Sequence, residues 1–165
     1  MQFPQREKAF TLIETLIVVA IIGILAVVVI SALSSGTDRA RDAKRKTDIT
    51  QIGRFLATSC YVPNAGVGEY DIADLVSELS VKYSQYAKFI SQIPQDPSTG
   101  TDTQSNYKYI VNNSRDCVIY ANLENENESI TLVNISSPTP GAGNGVLVSG
   151  TQGWNGSYNY FQISN

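Results

Sequence analysis

Residues 10–33 read FTLIETLIVVAIIGILAVVVISAL, and residues 16–30 are apolar without a break. A helix of that length spans about 36 Å at 1.5 Å per residue, enough to cross a bilayer core of about 30 Å. Residues 37–59 follow as TDRARDAKRKTDITQIGRFLATS, with no proline. Ala40, Ala43 and Thr47 form a strip of small residues. Ile49, Ile52, Leu56 and Cys60 recur at spacings of three and four, one face of a helix. The pattern predicts a single helix from about residue 10 to residue 59, roughly 75 Å long if unbroken. Its second half is amphipathic and needs a surface to pack on. Ser34, Ser35 and Gly36 mark the place where it can bend.

Residues 71–80, DIADLVSELS, predict a short helix with Asp71 as N-cap and Ile72, Leu75, Val76 and Leu79 as its buried stripe. A second helical piece is expected at 83–90, and Pro94 and Pro97 end helical structure. Strands are expected at 107–111 (YKYIV), 117–123 (CVIYANL) and 129–133 (SITLV), with further candidates at 145–148 and 158–163. The order is long helix, short helix, then antiparallel strands. It predicts an α+β fold in which a small sheet packs on the long helix.

The chain has 165 residues, 42% of them hydrophobic and 16% charged, and no histidine. That excludes a His-based triad, a His-ligated metal centre and a His general base. Two cysteines are too few for a Cys-only zinc site. A net charge of −3 argues against a protein that coats nucleic acid. No Walker motif, dinucleotide fingerprint or G-x-S-x-G elbow is present. Asp71 and Asp74 share one face of a short helix, where capping explains them better than glycoside chemistry. What is left is a binding, structural or assembly protein, or an enzyme built on carboxylates and hydroxyls.

Charge divides the chain. Residues 38–54 hold six Lys/Arg and three Asp, net +3. Residues 60–165 hold four basic residues (Lys82, Lys88, Lys108, Arg115) against ten acidic ones, net −6. A basic stem under an acidic head would favour staggered packing of identical copies. The plainer reading is a set of solvated faces.

Ahead of the apolar run lies MQFPQREKA, with Arg6, Glu7 and Lys8, and inside the run stands one charged residue, Glu14. An ionised carboxylate there costs about 2.5 kcal/mol or more unless paired. A secretory signal peptide, with 32–34 (ALS) as its cleavage site, leaves the length and Glu14 unexplained. A plain membrane anchor explains the length but not Glu14. A leader cut before the apolar run accounts for the leader, the length and the glutamate together. The basic residues at 39–46 outnumber those of the leader, so the positive-inside rule alone would keep the head in the cytoplasm. Asp38 and Asp42 dilute that cluster.

Residues 8–14, KAFTLIE, with their apolar continuation resemble the processing site of type IV pilins and of the pseudopilins of type II secretion. The resemblance implies cleavage by a prepilin peptidase between Ala9 and Phe10, methylation of the new amine on Phe10, and a glutamate at the fifth mature position, Glu14. The residue before the cut is normally glycine, and here it is Ala9, which implies slower cleavage. Residues 40–56, ARDAKRKTDITQIGRFL, look like a pilin stem. IPQDPSTGTDTQSNYKYIV and DCVIYANLEN are similar to the head of the G-type major pseudopilin and its relatives.

The resemblance implies a leader at 1–9, a transmembrane and filament-core helix at 10–36, an amphipathic stem at 37–59 and a globular head at 60–165. It implies a structural subunit rather than an enzyme, with no cofactor. Its partners would be other copies, minor pilins, the prepilin peptidase, a membrane platform with its assembly ATPase, and lipid before assembly. The chain would cross the cytoplasmic membrane once with the head outside, then enter a cell-surface or periplasmic filament. Within the family the alternative is a secretion or competence pseudopilin. From another class, it is a monomeric membrane-anchored binding protein.

Residues 129–165 carry no charge and include six of the 12 glycines. A polar, flexible surface loop closed by a final strand is the plainer reading. The functional one is an adhesive or subunit-contacting tip bearing Trp154, Tyr158, Tyr160 and Phe161. G-type pseudopilins often bind calcium in an aspartate-rich C-terminal loop. No Asp or Glu follows Glu128, so that site does not transfer and no metal is expected. Glu124, Glu126 and Glu128 are expected in a solvated turn between two strands.

Cys60 falls on the helical face of Ile49, Ile52 and Leu56, and Cys117 alternates with Ile119, Ala121 and Leu123 on one strand face. If the sheet covers the stem these faces meet, and a Cys60–Cys117 disulfide is expected. The alternative is a pair of buried free thiols. Ile13, Leu16, Ile17 and Val18 offer Glu14 no partner in its own helix. The expected role for Glu14 is to meet the Phe10 amine, within its own subunit or in a neighbour, and so set the axial register. The bland alternative leaves it hydrated near the lipid headgroups.

Overall fold

The structure is a computed structural model and describes residues 11–56 and 60–165. The chain divides into two compact units, the first ending at Thr37 and the second running Asp38–Asn165. Helix α1 spans Leu12–Leu56. In the first unit its stretch Leu12–Val29, 18 residues, is long and apolar enough to cross a membrane and is nowhere buried. With aliphatic side chains on every side, it is stable only where lipid or other apolar helices surround it.

In the second unit the strands are β1 (Gly68–Asp71), β2 (Lys108–Asn113), β3 (Asp116–Asn122), β4 (Gly145–Val148) and β5 (Asn159–Ser164). All pairs are antiparallel, in the order β1-β2-β3-β5-β4. Helix α2 (Ile72–Lys82), a 3₁₀ turn at Ser84–Tyr86 and the short α3 (Ala87–Ile90) lie between β1 and β2. Asp71 caps α2 as expected, accepting from the N–H of Ala73 at 2.9 Å. The long helix and small antiparallel sheet make the pilin-like α+β arrangement.

One sheet face packs on α1. Tyr109, Val111, Cys117, Ile119 and Ala121 meet Ile49, Ile52 and Leu56 in the main core, with Ile72, Leu75 and Leu79 of α2. Val76, expected in that stripe, is only half-buried. Gly53 lets the strands come close: a Cβ there would sit 2.8 Å from Ile163 Cγ2.

Residues 129–133, expected as a strand, are not one. The carbonyl of Val146 accepts from the N–H groups of both Thr131 and Leu132 at 2.9 Å. The N–H of Val146 donates to the Thr131 hydroxyl at 2.8 Å. A side chain thus takes the place that a partner carbonyl would need, and no ladder propagates. β1 has no apolar alternation to announce it; its register against β2, Gly68↔Val111 to Asp71↔Lys108, makes it a strand.

The uncharged tail is built into the sheet rather than looped off it. β5 lies between β3 and β4. The other sheet face carries a second cluster, Tyr120, Leu147 and Tyr160, covered by Leu132, Ile135 and Trp154. Gln162 of β5 is fully buried. Its Nε2 donates to the Gly143 carbonyl at 2.7 Å, and its Oε1 accepts from the N–H of Thr139 at 3.0 Å.

Candidate functional site

Glu14 is the one charged residue between Leu12 and Val29. The Thr11 N–H donates to Glu14 Oε2 at 2.9 Å, and the Thr11 hydroxyl donates to the same oxygen at 2.7 Å. The Glu14 N–H points back to Thr11 Oγ1 at 3.3 Å. This is a reciprocal capping box, with the T-x-x-E spacing that starts a helix. The expectation that Glu14 lacks a partner in its own helix is therefore corrected. The partner lies three residues earlier, off the apolar neighbours considered for it. Both Thr11 donors converge on Oε2, which leaves Oε1 available to an incoming donor. Ala9 and Phe10, the residues of the expected cleavage and methylation, lie outside the described residues.

Farther along α1 the buried face begins with polar residues. Asp42, Arg45 and Asp48 are buried one turn apart, ahead of Ile49, Ile52 and Leu56. Arg45 is fully buried. Its Nε and Nη2 donate to Asp96 at 2.7 and 2.9 Å, its Nη1 to Asp42 at 2.8 Å, and its Nη2 also to Ser98 at 2.5 Å and to Glu124. Arg41 reaches Glu124 and Asp38. Lys46 pairs with Glu128 at 2.5 Å. Asp42 accepts from the N–H groups of Glu124 and Asn125, both at 2.9 Å. A guanidinium whose three nitrogens all donate to carboxylates tolerates full burial, which an unpaired one does not.

Burial works against the charged form of Glu124. Hydrogen bonds from Arg41, Ser98 and Arg45 outweigh it and hold that carboxyl at about 2. Asp96 is likewise buried, and Arg45 and Asn155 hold it well below the usual carboxylate range. Burial, then the charge of Asp48 at 2.8 Å, pushes the Tyr107 hydroxyl up.

The charge contrast between residues 38–54 and 60–165 is thus largely satisfied within one chain. The expected solvated turn at 124–128 is instead a band tied across the stem. Glu124 and Glu128 reach inward and Glu126 is left exposed. Among the described residues, no group of three or more His, Cys, Asp or Glu side chains is set to hold a metal ion.

Cys60 and Cys117 are joined, with Cα atoms 5.5 Å apart. The bond ties the chain just beyond α1 to β3, at the end of the core opposite the Arg45 cluster.

Residues 4–30 match the family model described as the prokaryotic N-terminal methylation motif. The chain carries the leader of a type IV pilin-like prepilin. The match runs from the polar leader through Glu14 into the exposed apolar span. It stops short of residues 31–165, and the G-type likeness of the head rests on its residues alone. No curated protein and no solved structure matches the chain.

The aromatic residues of the uncharged tail do not gather at a tip. Trp154 packs against Tyr120 and Tyr160, ring centroids 6.2 and 5.9 Å away. Phe161 lies on the opposite face against the main core. Tyr158 is exposed. Arg45, Asp96, Ser98 and Asn155 escaped the sequence reading. The available signal was the placement of Asp42, Arg45 and Asp48 on the face that Ile49 and Ile52 continue.

Proposed function

We propose that this chain is the structural subunit of a type IV pilus or pilus-like filament, not an enzyme. It would be cleaved between Ala9 and Phe10, methylated on Phe10 and polymerised through its apolar helix. The observation that carries the reading is the methylation motif at 4–30 leading directly into a membrane-length apolar span whose single carboxylate is Glu14. Residues 10–36 serve as membrane anchor and then filament core, 37–59 as stem and 60–165 as head. Burial among neighbouring helices replaces burial in lipid.

The head lies outside the cytoplasmic membrane. The Cys60–Cys117 bond supports that side, since disulfides persist in oxidising compartments. Glu14 sets the axial register by accepting the Phe10 amine of a neighbouring copy. The availability of Oε1 beside a saturated Oε2 supports that role. Any other register leaves a charge unpaired in an apolar core, at a cost of several kcal/mol.

The test combines N-terminal sequencing of mature protein with filament yield from Glu14→Val. A mature N-terminus at Phe10 and normal processing of the valine variant with lost assembly are expected. An N-terminus at Met1 would favour the plain anchor, and wild-type filament yield from the variant would remove the register role.

A further inference from the structure

Five charged side chains among the described residues make no hydrogen bond, ion pair or ring contact: Arg39, Asp74, Lys88, Arg115 and Glu126. Three have local reasons to be where they are. Asp74 sits in the first turn of α2 and Lys88 in the last turn of α3, each with the favourable sign for the helix dipole. Arg115 is at the exposed tip of the β2–β3 hairpin. Arg39 and Glu126 have none. Both are exposed, and both are surrounded by charges that do find partners: Asp38, Arg41, Lys46, Glu124 and Glu128.

We propose that Arg39 of one copy pairs with Glu126 of the next, a head-to-stem contact between neighbouring subunits. The proposal rests on the filament reading above. The band 124–128 is tied to the stem between Arg41 and Lys46, so Glu126 is held at that level while facing outward. Arg39 lies four to five residues nearer the N-terminus of α1, roughly 7 Å along the axis. A copy displaced along the filament by a few ångströms and turned about its axis therefore brings its Glu126 to its neighbour's Arg39. The opposite charges left over after internal pairing are complementary at that offset and at no other position on the stem. Lys44 is engaged by Asp48 at 2.8 Å.

The experiment is a charge swap in the full-length chain, expressed with its assembly machinery. Arg39→Glu, Glu126→Lys and the double variant are compared for leader cleavage, for migration on non-reducing gels as a check of the Cys60–Cys117 bond, and for sheared filament yield. Each single variant should keep cleavage and the disulfide while losing about fivefold or more in filament yield, and the double variant should recover most of it. Filaments of a chain carrying both Arg39→Cys and Glu126→Cys should give an oxidised multimer ladder that neither single cysteine variant gives.

A double variant no better than the singles overturns the pair, as do two singles at wild-type yield. A loss from Arg39→Glu with a silent Glu126→Lys also overturns it and assigns Arg39 to lipid headgroups. Wild-type chain that is cleaved at Phe10 yet forms no filament defeats the filament reading and the pair with it. Wild-type filaments that ignore both substitutions defeat the pair alone.

Discussion

Arg45 Nε donates to Asp96 Oδ2 at 2.7 Å across 51 residues of sequence, and neither side chain is exposed. The same Asp96 oxygen accepts from Asn155 Nδ2 at 2.8 Å, and Asn155 in turn bonds Asn122 of β3. One stem residue thereby joins the loop at 96–99, the turn after β3 and the glycine-rich tail. The head is organised around a stem cation as much as around its apolar core.

Replacing Arg45 tests that organisation. Arg45→Ala strands Asp42 and Asp96 without their counter-charge, leaves Glu124 with Arg41 alone, and is expected to cost roughly 3–5 kcal/mol. Arg45→Lys keeps the charge but loses the planar fork, so its loss should be smaller though still measurable. Urea unfolding of the full chain in detergent, followed by Trp154 fluorescence, reads both. Trp154 is the only tryptophan and neighbours Asn155 in the cluster. An alanine variant with an unchanged midpoint would show that the cluster contributes nothing.

Acid should dismantle the same cluster. The Glu124 carboxyl is held at about 2 in the folded chain, below its ordinary value of 4.5. Because the folded value is the lower one, the stabilisation is complete above the unfolded value and is lost as pH falls through the folded one. Through Glu124 the urea midpoint should therefore not change with pH between 6 and 8, where the carboxyl is ionised in both states, and should decline from about pH 4.5 towards pH 2. Glu124→Gln should lower stability at neutral pH and flatten that decline. Parallel acid profiles for the variant and the wild type would contradict the assignment.

Much of this was legible in the residues. The membrane-length run, the Asp71 cap and the spacing of Ile49, Ile52 and Leu56 are local signals, and the structure follows them; Cys60, expected to continue that helical face, lies in a turn beyond α1. The Arg45 cluster was not, because its partners stand 51 and 79 residues away and charged residues on a helix are ordinarily solvated. Residues 129–133 alternate as a strand should, yet the Thr131 hydroxyl takes the Val146 N–H. Gln162 reads as a surface residue. Its burial became visible only once the tail had folded back to supply backbone partners at Thr139 and Gly143.

Two of the glycines of α1, Gly36 and Gly53, should respond in opposite directions to the same substitution. Helix propensity favours alanine over glycine by about 1 kcal/mol at an exposed site. A Cβ added at Gly36 meets nothing within 4 Å, so Gly36→Ala should be neutral or stabilising. At Gly53 the Cβ would lie 2.8 Å from Ile163 Cγ2, 3.0 Å from Ile163 Cβ and 3.4 Å from Ile119 Cγ2. Those neighbours sit in β5 and β3, where the ladder holds the backbone, so relief must come from moving the helix off the sheet. Overpacking of this kind costs about 1–3 kcal/mol, which exceeds the propensity gain. Gly53→Ala should therefore lower the urea midpoint, and adding Ile163→Ala should recover part of the loss by clearing the space. A Gly53→Ala chain as stable as wild type, or one that Ile163→Ala only weakens further, would mean that the close approach of helix and β5 is not what requires glycine there.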